Sequence, residues 1–314
     1  MTVVLVTGAN GFVGRNVCRS LLEHGHEVRA VVRTVDLIPT LPDGATPLVG
    51  DLLSGLAAEA FWNVGAVVHL AARAHVMREE SEASLAQYRR DNVELTARLV
   101  AAAAGAAVRR FVYVSSVKVH GEGGPVMVRA TDPVAPVGAY ARSKAAAEDV
   151  VRTTSGKMEW TIIRPCFVYG AGGKGNFSRL VSLAAVAARI PLPLANIRNR
   201  RSMIYVENLA SLLVTCVTQP EAARRTFLAA DAETLATPDL IRRVGSAVGV
   251  TARLFPVPLS FLRAAARLVG RTNDMDRLTE SYVVDAEDVC RVLTWRAPFT
   301  LDEALARAVA RIPS

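Results

Sequence analysis

VVLVTGANGFVG, residues 3–14, decides how the rest of the chain is read. Val3 to Val6 is an apolar, β-branched run that closes on Gly8. A helical spacing of apolar residues (Val13, Val17, Leu21, Leu22) then leads to His24 and Gly25, and a second apolar run from Val28 to Val32 stops at Arg33. Strand, glycine turn, helix and strand make a βαβ unit. Gly8, Gly11 and Gly14 permit the turn, admit a pyrophosphate close to the backbone and let helix pack on strand. The helix start adds unpaired N–H groups and the positive end of a dipole. This stretch is expected to cradle a dinucleotide; a tight turn without ligand is the alternative. The spacing is G-x-x-G-x-x-G, not the G-x-G-x-x-G of two-domain dehydrogenases.

Outward from this unit, strand and helix patterns alternate. Strands are expected at 45–49, 66–70, 110–114, 160–164 and 226–229, and helices at about 81–104, 137–152 and 177–189. Residues 204–217 read as strand then helix. Continuous apolar strands separated by helices imply an α/β fold with a doubly wound parallel sheet, Rossmann-like, which binds ligands at the carboxyl ends of its strands. Past Arg164 the pattern loosens into a glycine-rich loop, a PLPL run and short helices punctuated by Pro256, Pro258 and Pro298. A dinucleotide domain (1–165 plus about 202–230) interleaved with a smaller C-terminal substrate lobe (about 166–201 plus 231–314) is expected. The segment 259–268 is amphipathic; at this length it reads as a core-facing helix and not as a membrane-seeking one.

Composition narrows the class. The chain has 314 residues, 51% hydrophobic and 21% charged, which is globular and not disordered. No apolar run approaches the roughly 20 residues that span a bilayer, so no membrane insertion is expected, and the cytoplasm is the expected compartment. Cys18, Cys166, Cys216 and Cys290 stand far apart, as free thiols in a reducing compartment. Four of the 37 basic residues are lysine, and the rest, arginines, are scattered without a basic run. A net charge of +8 so distributed fits an anionic small ligand and not nucleic acid.

SSVKVHG (115–121) and YARSK (140–144) form a second constellation. Tyr140 and Lys144, four apart on a helix, share a face. An ammonium beside a phenol favours its ionised form and could bring a pKa of about 10 toward neutrality, where the phenol both gives and takes protons. Ser116, at a strand's carboxyl end, can bond the same substrate oxygen.

Taken in order, TGANGFVG, Asp51–Leu52, HLAA (69–72), Asn92, SSVKVHG, YARSK and RPCFVYG (164–170) make the chain resemble the extended short-chain dehydrogenases/reductases, in their nucleotide-sugar epimerase/dehydratase group. The resemblance covers essentially the whole chain. It implies Tyr140 as acid/base, Lys144 lowering its pKa and holding the nicotinamide ribose, and Ser116 positioning substrate. It implies cofactor contacts from Gly8, Asn10, Gly11, Phe12, Val13, Gly14, Arg33, Asp51, Leu52, Leu70, Ala71, Ala72, Asn92, Ser115, Pro165, Cys166 and Val168. On the substrate side it implies Asn176 in GKGNF at the diphosphate, Leu192 and Leu194 in PLPL beside the uracil, and Arg201, with Arg277 a second candidate, on the phosphates. It further implies a homodimer through the helices near 81–104 and 138–152.

Two departures refine this. NAD-using members end the second strand with an acid; here stands Arg33, which points to NADP(H) over NAD. Dehydratases carry Asp-Glu after the hydroxyl residue; here stand Val117 and Lys118, so elimination lacks its acid/base pair. The chain is most similar to bacterial reductases and epimerases of UDP-N-acetylated sugars for surface polysaccharide. NADPH-dependent reduction of a 4-keto-6-deoxy UDP-sugar is the leading expectation, a UDP-hexose or UDP-N-acetylhexosamine 4-epimerase the alternative, and a non-catalytic dinucleotide sensor the third. His69, His75 and His120 lack metal spacing and read as packing or polar lining.

Overall fold

The computed structural model describes residues 1–73, 82–124, 126–173 and 176–311, without the side chains of Ala83, Asn176 and Asn273. Among the described residues ten strands are formed: β1 Val3–Thr7, β2 Glu27–Val32, β3 Thr46–Val49, β4 Val64–His69, β5 Arg110–Val114, β6 Glu159–Pro165, β7 Phe167–Tyr169, β8 Arg201–Tyr205, β9 Arg225–Ala229 and β10 Thr234–Leu235. The helices are α1 Phe12–Glu23, α2 Glu82–Tyr88, α3 Leu95–Gly105, α4 Gly138–Thr154, α5 Asn176–Arg189, α6 Val206–Thr218, α7 Thr237–Val248, α8 Leu259–Leu268, α9 Thr272–Thr279, α10 Glu287–Leu293 and α11 Leu301–Ala310. A π-helical turn, Arg89–Glu94, joins α2 to α3, so the single long helix expected there is continuous but locally underwound in its hydrogen bonding.

The large sheet is wholly parallel, in the order β3-β2-β1-β4-β5-β6-β9. Its strands are apolar on both faces because both are covered. Val4 and Val6 of β1 join one core with α1 and α6, while Leu5 between them joins a second core with α3 and α4. Phe111 and Tyr113 likewise face α3 and α4, and Val112 and Val114 face the other way. A third core, built on Tyr169, Phe177, Tyr205, Leu240, Ile241, Leu301 and Leu305, lies under the small sheet β10-β8-β7. β8 therefore belongs to the small sheet, and α6, which follows it directly, packs on the large one.

The order reverses between β1 and β4, whose carboxyl ends open a crevice. Two glycines fix its floor. Gly8 has φ +66°, and a Cβ there would lie 2.8 Å from the Ala71 nitrogen; a Cβ on Gly14 would lie 2.1 Å from the Gly8 oxygen. Gly14→Ala must therefore push α1 off β1. An overpacking cost of about 1–3 kcal/mol is expected, read as a lower unfolding midpoint, with dinucleotide affinity falling at least about tenfold in a fluorescence titration.

The helix α8 departs from the core-facing expectation. It buries Leu262 and Ala266 but turns Phe261 and Leu268 to solvent.

Candidate active site

The glycine turn delivers α1 to the crevice with its first turn open. Gly11 caps it with no side-chain bond, and no acid stands in that turn. The backbone N–H groups there suit an anion. Phe12 closes one wall: its ring lies 3.2 Å from where a Cβ on Gly173 would be, so the loop 170–173 is held against the dinucleotide turn. Val13, half-buried, packs between the first and third cores. Asn10 is half-buried, with its carbonyl accepting from Arg15 at 3.4 Å. Arg33 follows β2, exposed and with no hydrogen-bond or ion-pair partner among the described residues. Asp51, also exposed, caps its own turn by accepting from the Leu53 N–H at 3.0 Å, and Leu52 is buried beneath it. Leu70, Ala71 and Ala72 lead out of β4 along the opposite wall.

A chain of hydrogen bonds fixes that wall. The Thr7 hydroxyl donates to His69 Nδ1 at 2.6 Å and accepts the Ala71 N–H at 3.3 Å. His69 Nε2–H donates to Thr96 Oγ1 at 3.0 Å, whose own hydrogen goes to the Asn92 carbonyl. Every donor in this chain has one acceptor only if His69 is neutral. Burial, then the charge of Lys144, pushes its pKa down to about 3. The native state thus refuses a proton that the unfolded chain accepts near 6.5. This contribution to stability is complete above about pH 6.5 and is lost as pH falls toward 3, at about 1.4 kcal/mol per pH unit. His69→Gln, which can replace both bonds without titrating, should flatten the acid side of the stability profile measured by urea unfolding.

Asn92 is held by protein partners. It is 1% exposed, its amide oxygen accepts the Arg73 N–H at 2.7 Å, and its amide nitrogen donates to Arg73 O at 3.2 Å and Ser143 Oγ at 2.9 Å. It braces the crevice wall against α4.

Tyr140 and Ser116 converge as the spacing predicts. Ser116 stands just past β5 and Tyr140 in the first turn of α4, near enough that the serine hydroxyl pulls the pKa of the phenol down. The Tyr88 ring stands edge-on to Tyr140, centroids 6.3 Å apart. Lys144 follows one turn on, buried, but its ammonium donates to the Val114 carbonyl at 2.7 Å and lies 4.5 Å from the centre of the Tyr113 ring. The expected depression of the phenol is absent. Burial raises the pKa of Tyr140, against the Ser116 hydrogen bond, and burial brings Lys144 down to about 7. An ammonium drawn toward the strand end and near neutralisation does little to ionise the phenol.

Beneath these lies a buried ion network. Glu148, one turn beyond Lys144, takes two bonds from Arg164, at 2.9 and 2.6 Å, and one from Arg152 at 2.8 Å. Arg164 also donates to His120 Nε2 at 2.8 Å, while His120 Nδ1–H donates to Pro133 O at 3.3 Å. The sequence signal for Glu148 was its place in the 140, 144, 148 series. Ser115 is buried beside this network, and Pro165 and Cys166 are buried at the end of β6, with Val168 half-buried beyond. From the C-terminal lobe, Tyr282 donates its hydroxyl to Val117 O at 2.6 Å and to Gly121 O at 3.3 Å, tying down the loop after Ser116. Val117 is buried and Lys118 pairs with Glu122, so no carboxylate follows the serine directly.

The substrate-side expectations fare unevenly. Asn176 opens α5, and its side chain lies outside the described residues, as do Lys174, Gly175 and His75. Leu194 is buried in the third core, and Leu192 is half-buried against it, its N–H donating to Arg253 O at 3.0 Å. Arg201 has backbone partners of its own: its guanidinium donates to Glu280 O at 3.1 Å and to Arg277 O, the open carbonyls at the end of α9. Helix C-termini leave such carbonyls without partners, and this arginine supplies them. Arg277 meets Arg201 through its backbone. No group of histidine, cysteine and acid able to hold a metal occurs among the described residues, nor any helix long and apolar enough to cross a membrane.

Comparison with known proteins agrees with this fold. The profile of the NAD dependent epimerase/dehydratase family matches residues 4–229. A UDP-glucose 4-epimerase of Vibrio cholerae is 37% identical over 307 residues, covering 96% of this chain and 92% of its own. Among solved structures, UDP-N-acetylglucosamine 4-epimerase from Bacillus cereus superposes with a TM-score of 0.79 at 20% identity, covering 99% of both chains. UDP-glucuronic acid 4-epimerase from the same organism, in complex with NAD, gives 0.77 at 18%, covering 99% of this chain and 96% of its own.

Proposed function

The chain belongs to the NAD dependent epimerase/dehydratase family, and on that footing we propose that it interconverts the C4 epimers of a UDP-linked hexose. The 37% identity to the Vibrio cholerae 4-epimerase along nearly the whole of both chains favours this over the reductase that leads the sequence reading. One observation carries the chemistry: Ser116, just past the carboxyl end of β5, acts on Tyr140 in the first turn of α4, at the sheet edge that also carries the glycine turn after β1.

The dinucleotide turn fits NAD, since its uncapped helix start offers N–H groups to phosphates and Gly11, where a Cβ would meet only the Gly8 carbonyl, leaves the backbone open to them. When bound, NAD supplies the hydride acceptor and donor for C4. Tyr140 takes the proton of the C4 hydroxyl and returns it, Ser116 holds that oxygen, and Lys144, one turn on, would hold the ribose of the bound dinucleotide. A homodimer through the outer faces of α2, α3 and α4 belongs to the same proposal, and sedimentation velocity tests it directly.

Arg33 favours a second reading, NADPH-dependent reduction of a 4-keto UDP-sugar, because an exposed guanidinium without partners at the end of β2 suits a 2′-phosphate. Arg33→Glu should then lower the NADP-to-NAD affinity ratio by roughly ten- to a hundredfold, measured by equilibrium binding. Incubation with UDP-glucose and UDP-N-acetylglucosamine, and separately with a 4-keto UDP-sugar plus NADPH, decides between them. C4 epimers without net dinucleotide consumption establish the first reading, and stoichiometric loss of NADPH the second. Binding without either turnover removes both.

A further inference from the structure

The apolar side of α8 has two halves. Leu262 and Ala266 are buried against the protein. At i, i+3, i+4, i+7 and i+8 of the same helix and its cap, Phe261, Ala264, Ala265, Leu268 and Val269 are exposed, with Phe261 70%, Leu268 88% and Val269 69% accessible. At 100° per residue these five form one stripe. Its inner edge is the buried row, and its outer edge carries Arg267 and, past the helix end, Arg271. Arg263 lies one step further round. None of the three arginines is ion-paired among the described residues. Arg263 and Arg267 line a cavity of about 230 Å³ with Thr272, Met275 and Asp276.

We propose that α8 is a docking face for an anionic lipid bilayer, on which the protein rests without spanning it. Large apolar side chains in a helical stripe bordered by unpaired arginines are what binds at the headgroup boundary, where the stripe enters the acyl region and the guanidiniums meet lipid phosphates. A second copy suits the face less well. In an antiparallel self-pairing the two arginine edges would lie side by side and repel. Only one carboxylate, Asp276, shares the cavity with the arginines, so the edge keeps its positive sign.

The test is sedimentation of the full-length protein with vesicles of phosphatidylglycerol and phosphatidylcholine, or of phosphatidylcholine alone. Binding is expected to the anionic vesicles, with the zwitterionic ones weaker by at least about tenfold. Phe261→Ser combined with Leu268→Ser should lower anionic binding by more than about tenfold. Arg267→Gln and Arg271→Gln should each lower it by about fivefold. Because the four positions are solvent-facing, melting curves should not move. Leu268→Trp gives a separate reading: its fluorescence should shift to the blue on anionic vesicles. Equal binding to both vesicle types, an unaltered double serine variant, or an unshifted tryptophan would each overturn the proposal. So would a concentration-dependent dimer that the serine pair abolishes, which would assign the face to a second copy.

Discussion

Tyr140→Phe is expected to lower kcat by about 10²- to 10⁴-fold while dinucleotide affinity stays within about threefold. The phenyl ring keeps the edge contact with Tyr88, and the backbone carbonyl of residue 140 still accepts the Ser143 hydroxyl at 2.8 Å, so α4 should remain in place. What disappears is the hydroxyl on which Ser116 acts. If that oxygen moves the C4 proton, the chemical step loses its acid and base together, and KM should change little. Steady-state kinetics beside a dinucleotide titration make the distinction. Equal losses in turnover and affinity would assign Tyr140 to binding and end its proposed role.

Glu148→Ala should be the most damaging change away from the reacting atoms, costing about 3–5 kcal/mol, since a buried ion loses its partner. Arg164 is 3% exposed and has two of its donors on this carboxylate. Without Glu148 its charge would be left inside the protein, next to a Lys144 that is already buried. A fall in the melting midpoint on the order of ten degrees is expected by calorimetry. Glu148→Gln should recover part of it, because an amide keeps one acceptor for Arg164. Burial alone would raise the pKa of Glu148, but Arg164 and Arg152 outweigh burial and hold it below the ordinary 4.5. Its contribution is therefore present above about pH 4.5 and is lost as pH falls through the lower, folded value. An alanine variant as stable as the parent would show that the network is ornamental.

The sheet was legible because the central strands carry runs of apolar, largely β-branched residues without a polar face, as strands covered on both sides do. Arg110–Val114 and Leu259–Leu268 coincide with the segments expected from periodicity alone. The meeting of Tyr140 with Ser116 was likewise written in local spacing and strand ends. The His69 chain was not, because Thr7, His69 and Thr96 are brought together from β1, β4 and α3. Nor was the outward turn of Phe261, since periodicity says that a helix is two-faced and is silent on what covers each face. The protonation of the phenol was misjudged for a related reason. The spacing put an ammonium near it, but Val114 O and the Tyr113 ring, which draw that ammonium away, come from another element.

The bond from Tyr282 to Val117 and Gly121 has a consequence for biogenesis. All the proposed chemistry-bearing side chains lie before residue 145, yet the segment that holds the serine loop in place is translated about 165 residues after that loop begins. A ribosome-bound chain could close its parallel sheet as far as β6 and still lack a seated reaction centre. Competence would arrive only with the final stretch of polypeptide, so partly made protein would have little opportunity to turn over substrate.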